Sequence, residues 1–272
     1  MNLKSEDIEL GLLLEAIYLK YGYDFRNYSR ISLKRRLRQA CEKLNCRSFS
    51  MLQDLILNNP DMVTEILSFM TIQVSEMFRD PLYYKAVRDE IIPLLHTYPS
   101  LRIWVAGCSY GEEFYSLAIL FKEEGLFDRT IFYCTDINND ALDKAKKGVF
   151  EFEKIKDFTR NYQMAGGKKS FSEYYTASYD SFIMDKSLRQ NVVFSDHSLV
   201  TDKVFAEMHF ISCRNVLIYF NRELQDVAIG LFNDSLVRNG YLGIGSKETL
   251  QFSAYYNSFQ EVNRKERLYK KI

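Results

Sequence analysis

Two glycines and two adjacent carboxylates stand together in the run Val105-Ala-Gly-Cys-Ser-Tyr-Gly-Glu-Glu113. A glycine turn between a strand and a helix lets a ligand approach the backbone beyond the strand end. The spacing is not Gly-x-Gly-x-x-Gly, and no P-loop lysine follows. Glu112 and Glu113 would repel a phosphate at the start of that helix. They suit a ligand carrying a cationic amine or sulfonium. Asp136 closes the next apolar run, 25 residues after Gly111. A carboxylate there can take both hydroxyls of a ribose. This ordered set points to a nucleoside with a cationic tail, toward S-adenosylmethionine rather than NAD. The plainer alternative is a tight turn whose acids merely favour the helix dipole.

These residues need a sheet to carry them. Ile8, Leu12, Leu13, Ala16 and Ile17 recur at helical spacing, and the helical rhythm continues to about Leu95. Ser32 is positioned to cap a helix running to Leu44. Asp80 before Pro81 is a helix-start signal, and Pro93 predicts that this helix frays or ends near Leu95. After Pro99 the pattern changes. Short apolar runs at 102–106, 131–135, 209–213 and 241–245 alternate with helices at 112–124, 139–147 and 222–237. Such alternation predicts a parallel sheet with helices on both faces. The stretch 151–190 breaks it and reads as an insertion with its own small β structure. The expected domains are a helical region over 1–78, carrying a basic helix, and an α/β region over 79–272.

Composition narrows the classes. Lys plus Arg number 36 and Asp plus Glu 36, so bulk charge does not bind this chain to nucleic acid. Hydrophobic residues make up 47%, which excludes a disordered chain. No apolar run approaches the ~18 residues of a membrane span. The start of the chain, with Lys4, Glu6, Asp7 and Glu9, is not patterned as a signal peptide. Five scattered cysteines suit a reducing, cytoplasmic setting, and three unclustered histidines argue against zinc. Locally the charge is uneven. Arg26, Arg30, Lys34, Arg35, Arg36, Arg38, Lys43 and Arg47 face one acid, Glu42. Helical spacing puts Arg30, Lys34 and Arg38 on one face with Arg35 beside them. An acidic helix or a phosphate backbone would fit that face, and so would plain solvent.

Three motifs carry a family resemblance. Gly-Cys-Ser-Tyr-Gly-Glu-Glu-Phe-Tyr-Ser (107–116) resembles the G-C-S-T-G-E-E-P-Y-S signature of the chemotaxis receptor glutamate methyltransferases, the CheR family. Cys-Arg-Asn-Val-Leu-Ile-Tyr-Phe (213–220) resembles its C-R-N-V-x-I-Y-F, and Ser-Glu-Met-Phe-Arg-Asp (75–80) its T-x-F-F-R-[DE]. The likeness implies α/β architecture: a Rossmann-like S-adenosylmethionine-dependent methyltransferase domain with a small β-subdomain insertion, preceded by an all-helical N-terminal domain. It implies transfer of methyl groups from S-adenosylmethionine to glutamates on the cytoplasmic methylation helices of chemoreceptors, leaving S-adenosylhomocysteine. It assigns cofactor contacts to Gln73, Ser75, Arg79, Gly107, Glu113, Asp136, Ile137, Ser198, Leu199, Asn215 and Val216. Arg79 and Tyr219 are implied beside the transferred methyl. Arg30, Lys34, Arg35 and Arg38 are implied to face the substrate helix. In some relatives the insertion grips a receptor's C-terminal peptide as an added strand, and Gly166, Gly167 and the nearby tyrosines permit such an edge. Neither nucleic acid nor membrane insertion is expected. Four departures stand out: Tyr110 for Thr, Phe114 for Pro, Gln73 and Ser198 for Asn.

The implied chemistry needs little apparatus. A glutamate with a pKa of about 4.3 is already ionised at neutral pH, so no general base is required. Alignment and exclusion of water are what the site must supply. Arg79 can hold the incoming carboxylate with a planar fork, and Tyr219 can donate a hydrogen bond or shape the methyl pocket. On residue type alone Arg79 reads equally as a surface ion-pair partner, Tyr219 as core and Asn215 as a local cap. Two rivals stay open: a nucleic-acid methyltransferase, which lacks here the [ND]-P-P-[YF] tetrapeptide, and a binding module without turnover.

Overall fold

The computed structural model describes residues 4–71 and 75–272. Two compact units result. One holds residues 4–71 with Tyr219–Gln225, the other 75–218 with Asp226–Ile272.

The first unit is four helices: α1 (Ser5–Tyr21), α2 (Arg30–Lys43), α3 (Phe49–Asn58) and α4 (Met62–Met70). The buried stripe of α1 is Leu10, Leu13, Leu14 and Ile17, while Ile8 and Leu12 are exposed. Leu13 and Ile17 of the expected stripe are in the core, but the buried face is turned toward Leu10 and Leu14 and away from Ile8 and Leu12. Helix α2 starts at Arg30, not after Ser32. Ser29 donates its N–H to the Tyr219 carbonyl at 2.9 Å, which holds residue 29 outside the helix. Its core face is Leu33, Leu37 and Ala40, joined by Arg36, which is buried and donates to the carbonyls of Ser32 and Met70.

The second unit opens with α5 (Pro81–Ala86), a π-turn (Val87–Ile91) and α6 (Ile92–Leu95), running as one helix. The wider turn lets Pro93, which has no N–H to give, sit inside the helix rather than end it. Then follow β1 (Leu101–Ala106), α7 (Glu112–Glu123), β2 (Thr130–Asp136), α8 (Asn139–Lys147), β3 (Val149–Glu151), α9 (Ile155–Met164), β4 (Tyr175–Ser178), β5 (Ser181–Met184), β6 (Val192–Asp196), β7 (Met208–Cys213), α10 (Arg222–Ser235), β8 (Leu236–Ile244), β9 (Phe259–Asn263) and β10 (Leu268–Lys271).

The main sheet has seven strands in the order β6-β2-β1-β7-β8-β10-β9. It is mixed rather than wholly parallel, because the hairpin β9–β10 pairs antiparallel onto β8. Successive strands run outward from β1 to β6 on one side, and the chain then returns to β7 on the other. The switch point lies between β1 and β7, where open α/β sheets bind ligands beyond the carboxyl ends of their strands. Register puts Val105 beside both Cys134 and Ser212, so the ends of β1, β2 and β7 come level.

The insertion forms an antiparallel sheet of order β3-β5-β4, as its composition predicts, and also helix α9, which its polar sequence hides. One carboxylate fastens it to α7. The Glu123 side chain is fully buried and accepts from Tyr162, from Tyr174 at 2.9 Å and from the Lys168 N–H at 3.0 Å. Arg88 closes the group at 2.7 Å. Glu123→Ala would leave two phenols without this acceptor and the buried Arg88 guanidinium with Glu124 alone. We expect a loss of about 3–5 kcal/mol in chemical denaturation; a loss below about 1 kcal/mol, the range of an exposed pair, would show that the carboxylate is not the fastening.

Candidate active site

The loop after β1 folds over the end of β2. Gly107 and Cys108 both donate their N–H to the Thr135 carbonyl, at 2.8 and 2.9 Å. Ser109 donates its N–H to Asp136 Oδ2 at 2.9 Å, and Asn138 donates to Oδ1 at 3.0 Å. The Asp136 carboxylate is therefore oriented through both oxygens at the strand end. Gly107 and Gly111 have φ of +73° and +94°, which glycine adopts without strain. A Cβ on Gly107 would stand 2.5 Å from Val216 Cγ2, so the turn after β1 and the segment after β7 share one space. Ser109 also lies in the left-handed region, at φ 51°, and its Oγ is buried without a partner. Strain and an orphaned hydroxyl in one residue are typical of a ligand site.

The two acids part company. Successive helix residues point about 100° apart, and here they enter different surroundings. Glu113 Oε1 accepts from Ser212 Oγ at 2.6 Å, and Ser212 Oγ lies 2.6 Å from Tyr83 Oη. Burial pushes the Glu113 carboxyl up, while Arg214, the Ser212 hydroxyl and Arg79 oppose the shift. Glu112 is 1% exposed and lacks a partner on Oε2; burial pushes it to about 7, with Lys154 opposing and Glu76 reinforcing. Of the two acids, Glu113 joins the polar chain at the end of β7 and Glu112 does not.

The segment after β7 is moored by side chains whose partners are invisible in sequence. Arg214 is 5% exposed and lies 4.1 Å over the Tyr83 ring. It donates to the Arg79 carbonyl at 3.0 Å and to Asp80 Oδ2 at 2.7 Å. Glu248 accepts from the N–H groups of Asn215, at 3.1 Å, and Ile218, at 3.2 Å. Asn215 itself adopts φ 61°. Asp80 is left-handed too and makes no cap for α5, because its carboxylate is turned to Arg214.

The structure brings Gly107, Glu113, Asp136, Asn215 and Val216 to the ends of β1, β2 and β7, with Ile137 half-buried after Asp136. Arg79 and Ser75 lie half-buried in the segment before α5. Ser198 follows β6, but its Oγ accepts from the N–H groups of Val200 and Thr201 in its own turn; Leu199 beside it is buried. Gln73 lies outside the described residues. Tyr219 groups with the helical unit, its ring 5.5 Å from the Arg36 guanidinium. Tyr110 turns its ring to Lys144 at 4.6 Å, and Phe114 is core, packed on Phe132 and Phe194. On α2, Arg30 and Arg35 are exposed. Lys34 pairs with Asp7 and Glu6, and Arg38 takes Glu6 at 2.7 Å.

Comparison with known proteins gives the family. The CheR all-alpha domain matches residues 8–71, and the CheR methyltransferase SAM-binding domain matches 73–267. The chain belongs to the CheR methyltransferase family. A Pseudomonas putida protein named methyltransferase Cher3 is 54% identical over 98% of both chains. A Listeria innocua chemotaxis protein methyltransferase is 30% identical over 86% of this chain and 87% of its own. A Borreliella burgdorferi protein of the same name is 24% identical over 92% of this chain and 91% of its own. The CheR chain is accordingly an S-adenosylmethionine-dependent methyltransferase. Its residues fit that group: an anchored acid at Asp136, a half-buried carboxylate at Glu113, an unpartnered Ser109 hydroxyl and a glycine cradle at Gly107. Among the described residues no helix is long and apolar enough to cross a membrane.

Burial of Glu112 has a measurable sign. Its folded pKa is raised, so the fold binds a proton that the unfolded chain releases, and this group's contribution falls as pH rises from about 4.5 to about 7. Glu112→Gln removes the charge that becomes costly. We expect no gain by urea denaturation near pH 4.5 and a gain on the order of 2–3 kcal/mol above pH 8. An equal effect at both pH values would refute the buried-charge account.

Proposed function

We propose that this methyltransferase esterifies glutamate side chains on the cytoplasmic methylation helices of chemoreceptors, leaving S-adenosylhomocysteine. The observation that supports this reading best is the charge arrangement at the strand ends. A half-buried carboxylate, Glu113, lies within electrostatic reach of Arg79, whose backbone is tied down by Arg214. When bound, S-adenosylmethionine supplies a methyl group on a sulfonium, open to in-line attack by an ionised carboxylate. Asp136 is the acid for the ribose hydroxyls and Glu113 the counter-charge for the methionyl amine. Arg79 receives the substrate carboxylate with two parallel N–H donors. It must do so without gripping the ground state harder than the transition state, or turnover gains nothing. Gly107, Ser75, Ile137, Leu199, Asn215 and Val216 complete the cofactor's surroundings. The role of Tyr219 rests on family resemblance alone.

The acceptor's charge suits α2. Arg30 and Arg35 are exposed, and the solvent-screened pairing of Arg38 with Glu6 is weak enough to exchange for a receptor glutamate. Strand β4 lies at an edge of the inserted sheet and is largely exposed, which supports addition of a receptor peptide there as a further strand.

Incubation with tritiated S-adenosylmethionine and receptor cytoplasmic fragments should label protein that releases methanol in mild base. Label stable to base, or label on nucleic acid instead, would overturn the reading. We expect Arg79→Ala to lower turnover by at least about 100-fold, within the range a positioned group supplies, and to change S-adenosylhomocysteine affinity by far less. Asp136→Ala should do the opposite, weakening cofactor binding by about tenfold or more, as loss of a charged hydrogen-bond acceptor does.

A further inference from the structure

Arg79 is the residue assigned to the incoming carboxylate, and its N–H reaches the Glu76 carbonyl at 3.3 Å. The segment that carries it is strained. Phe78 and Asp80 flank it with φ of 52° and 55°, a region that residues with side chains seldom adopt. Such a conformation persists only where the surroundings over-determine it. Phe78 donates its N–H to Ser116 Oγ at 2.8 Å. A long-range restraint comes from Arg214, just after the central strand β7. Its guanidinium takes the Arg79 carbonyl and the Asp80 carboxylate at once, from a fixed plane over the Tyr83 ring. The same ring's hydroxyl meets Ser212 Oγ, which donates to Glu113. One buried polar chain therefore runs Glu113, Ser212, Tyr83, Arg214, Asp80, and the Arg79 backbone hangs from its far end.

We propose that Arg214 is the positioning residue of the methyl-transfer site, fixing the backbone from which Arg79 reaches the substrate carboxylate and supplying the buried counter-charge for Glu113. This inference rests on the methyl-transfer reading given above. The two duties are separable by chemistry. Fixing the backbone needs a planar fork that serves two acceptors while stacked on an aromatic face, which an ammonium cannot do. Counter-charging Glu113 needs only a cation at that place. The groups facing Glu113 are Arg79 from the preceding segment, Tyr83 and Tyr84 from α5, Cys108 from the glycine turn, Ser212, Cys213 and Arg214 from β7 and its end, and Glu248 after β8. Without Arg214, Glu113 would sit near Glu248 with Arg79 as the remaining nearby cation. It would then take a proton at higher pH, and a neutral carboxyl is a poor seat for an amine. Cofactor affinity falls as pH drops through the Glu113 pKa, so losing Arg214 moves that fall upward in pH.

The test uses the full chain as wild type, Arg214→Lys, Arg214→Met, Asp80→Asn and Glu113→Gln. Calorimetry with S-adenosylhomocysteine across a pH series follows the raised carboxyl, and single-turnover methyl transfer to a receptor fragment reads the chemistry. Arg214→Lys should keep Kd within about threefold with an unshifted pH profile, yet slow transfer at least tenfold, roughly the value of one lost charged hydrogen bond. Arg214→Met should shift the pH profile of Kd upward. Asp80→Asn, a partly exposed change that survives if Arg214→Met does not fold, should slow transfer with little effect on Kd. Full turnover in Arg214→Lys, or an unshifted profile in folded Arg214→Met, would overturn the proposal; if Arg214→Met does not fold, full turnover in Asp80→Asn does so. Glu113→Gln separates the two levels of argument: if it leaves Kd unchanged, the assignment of Glu113 to the cofactor fails, whatever Arg214 does.

Discussion

The hydrogen bonds that pull the turn after β1 across the end of β2 are the constraint on which the rest depends. Thr135 offers one carbonyl to two successive N–H groups, and Asp136 extends the same contact through its side chain. A turn so tied has few conformations left, and three of its residues lie in the left-handed region. Entropy is the main cost of such an arrangement. It is met here by parallel strands whose ends are level and whose flanks are buried on both faces. A site built on those ends is as rigid as the sheet.

Buried charge organises the other half of the site. Arg214, Glu113 and Glu248 are largely withdrawn from water, and each would be expensive alone. Their energies become tolerable through specific partners: an aromatic face, a carbonyl, a serine hydroxyl and backbone N–H groups. Removing one partner from such a group costs more than the group's net worth, because the desolvation has already been incurred. Networks of this kind give a site one geometry. Because desolvation offsets much of the Coulombic gain, the buried charge pairs contribute less to overall stability than their contacts suggest.

What could be read in the sequence follows from how local each signal is. The central strands are short apolar runs ended by glycine or a polar turn, so β1, β2, β7 and the last four residues of β8 were legible, as were α7, α8 and α10 to within two residues. Strands β6, β9 and β10 lie at or near sheet edges and carry exposed polar residues, so no alternation marks them. Helix α9 is largely polar and was concealed inside a β-like insertion. At the site, Gly107 and Asp136 announce themselves through spacing. Arg214 does not, because a lone arginine in sequence looks like a surface charge until its ring partner and acceptors are known. Ser109, Ser212, Tyr83 and Glu248 were missed for the same reason: their roles are pairwise across long stretches of chain. The unpartnered hydroxyl of Ser109 could have been suspected from its place in the glycine turn.

The contact between Gly107 and Val216 has an evolutionary reading. The missing side chain at one position is the space filled by a methyl group at the other, more than a hundred residues along the chain. Neither site can drift independently. A side chain at 107 would need a smaller 216 and would still carry the strain of a positive φ, while a bulkier 216 cannot grow toward 107. Lineages of this fold should therefore explore the two positions in concert, and the cost of a change at one will be set by what history has already placed at the other.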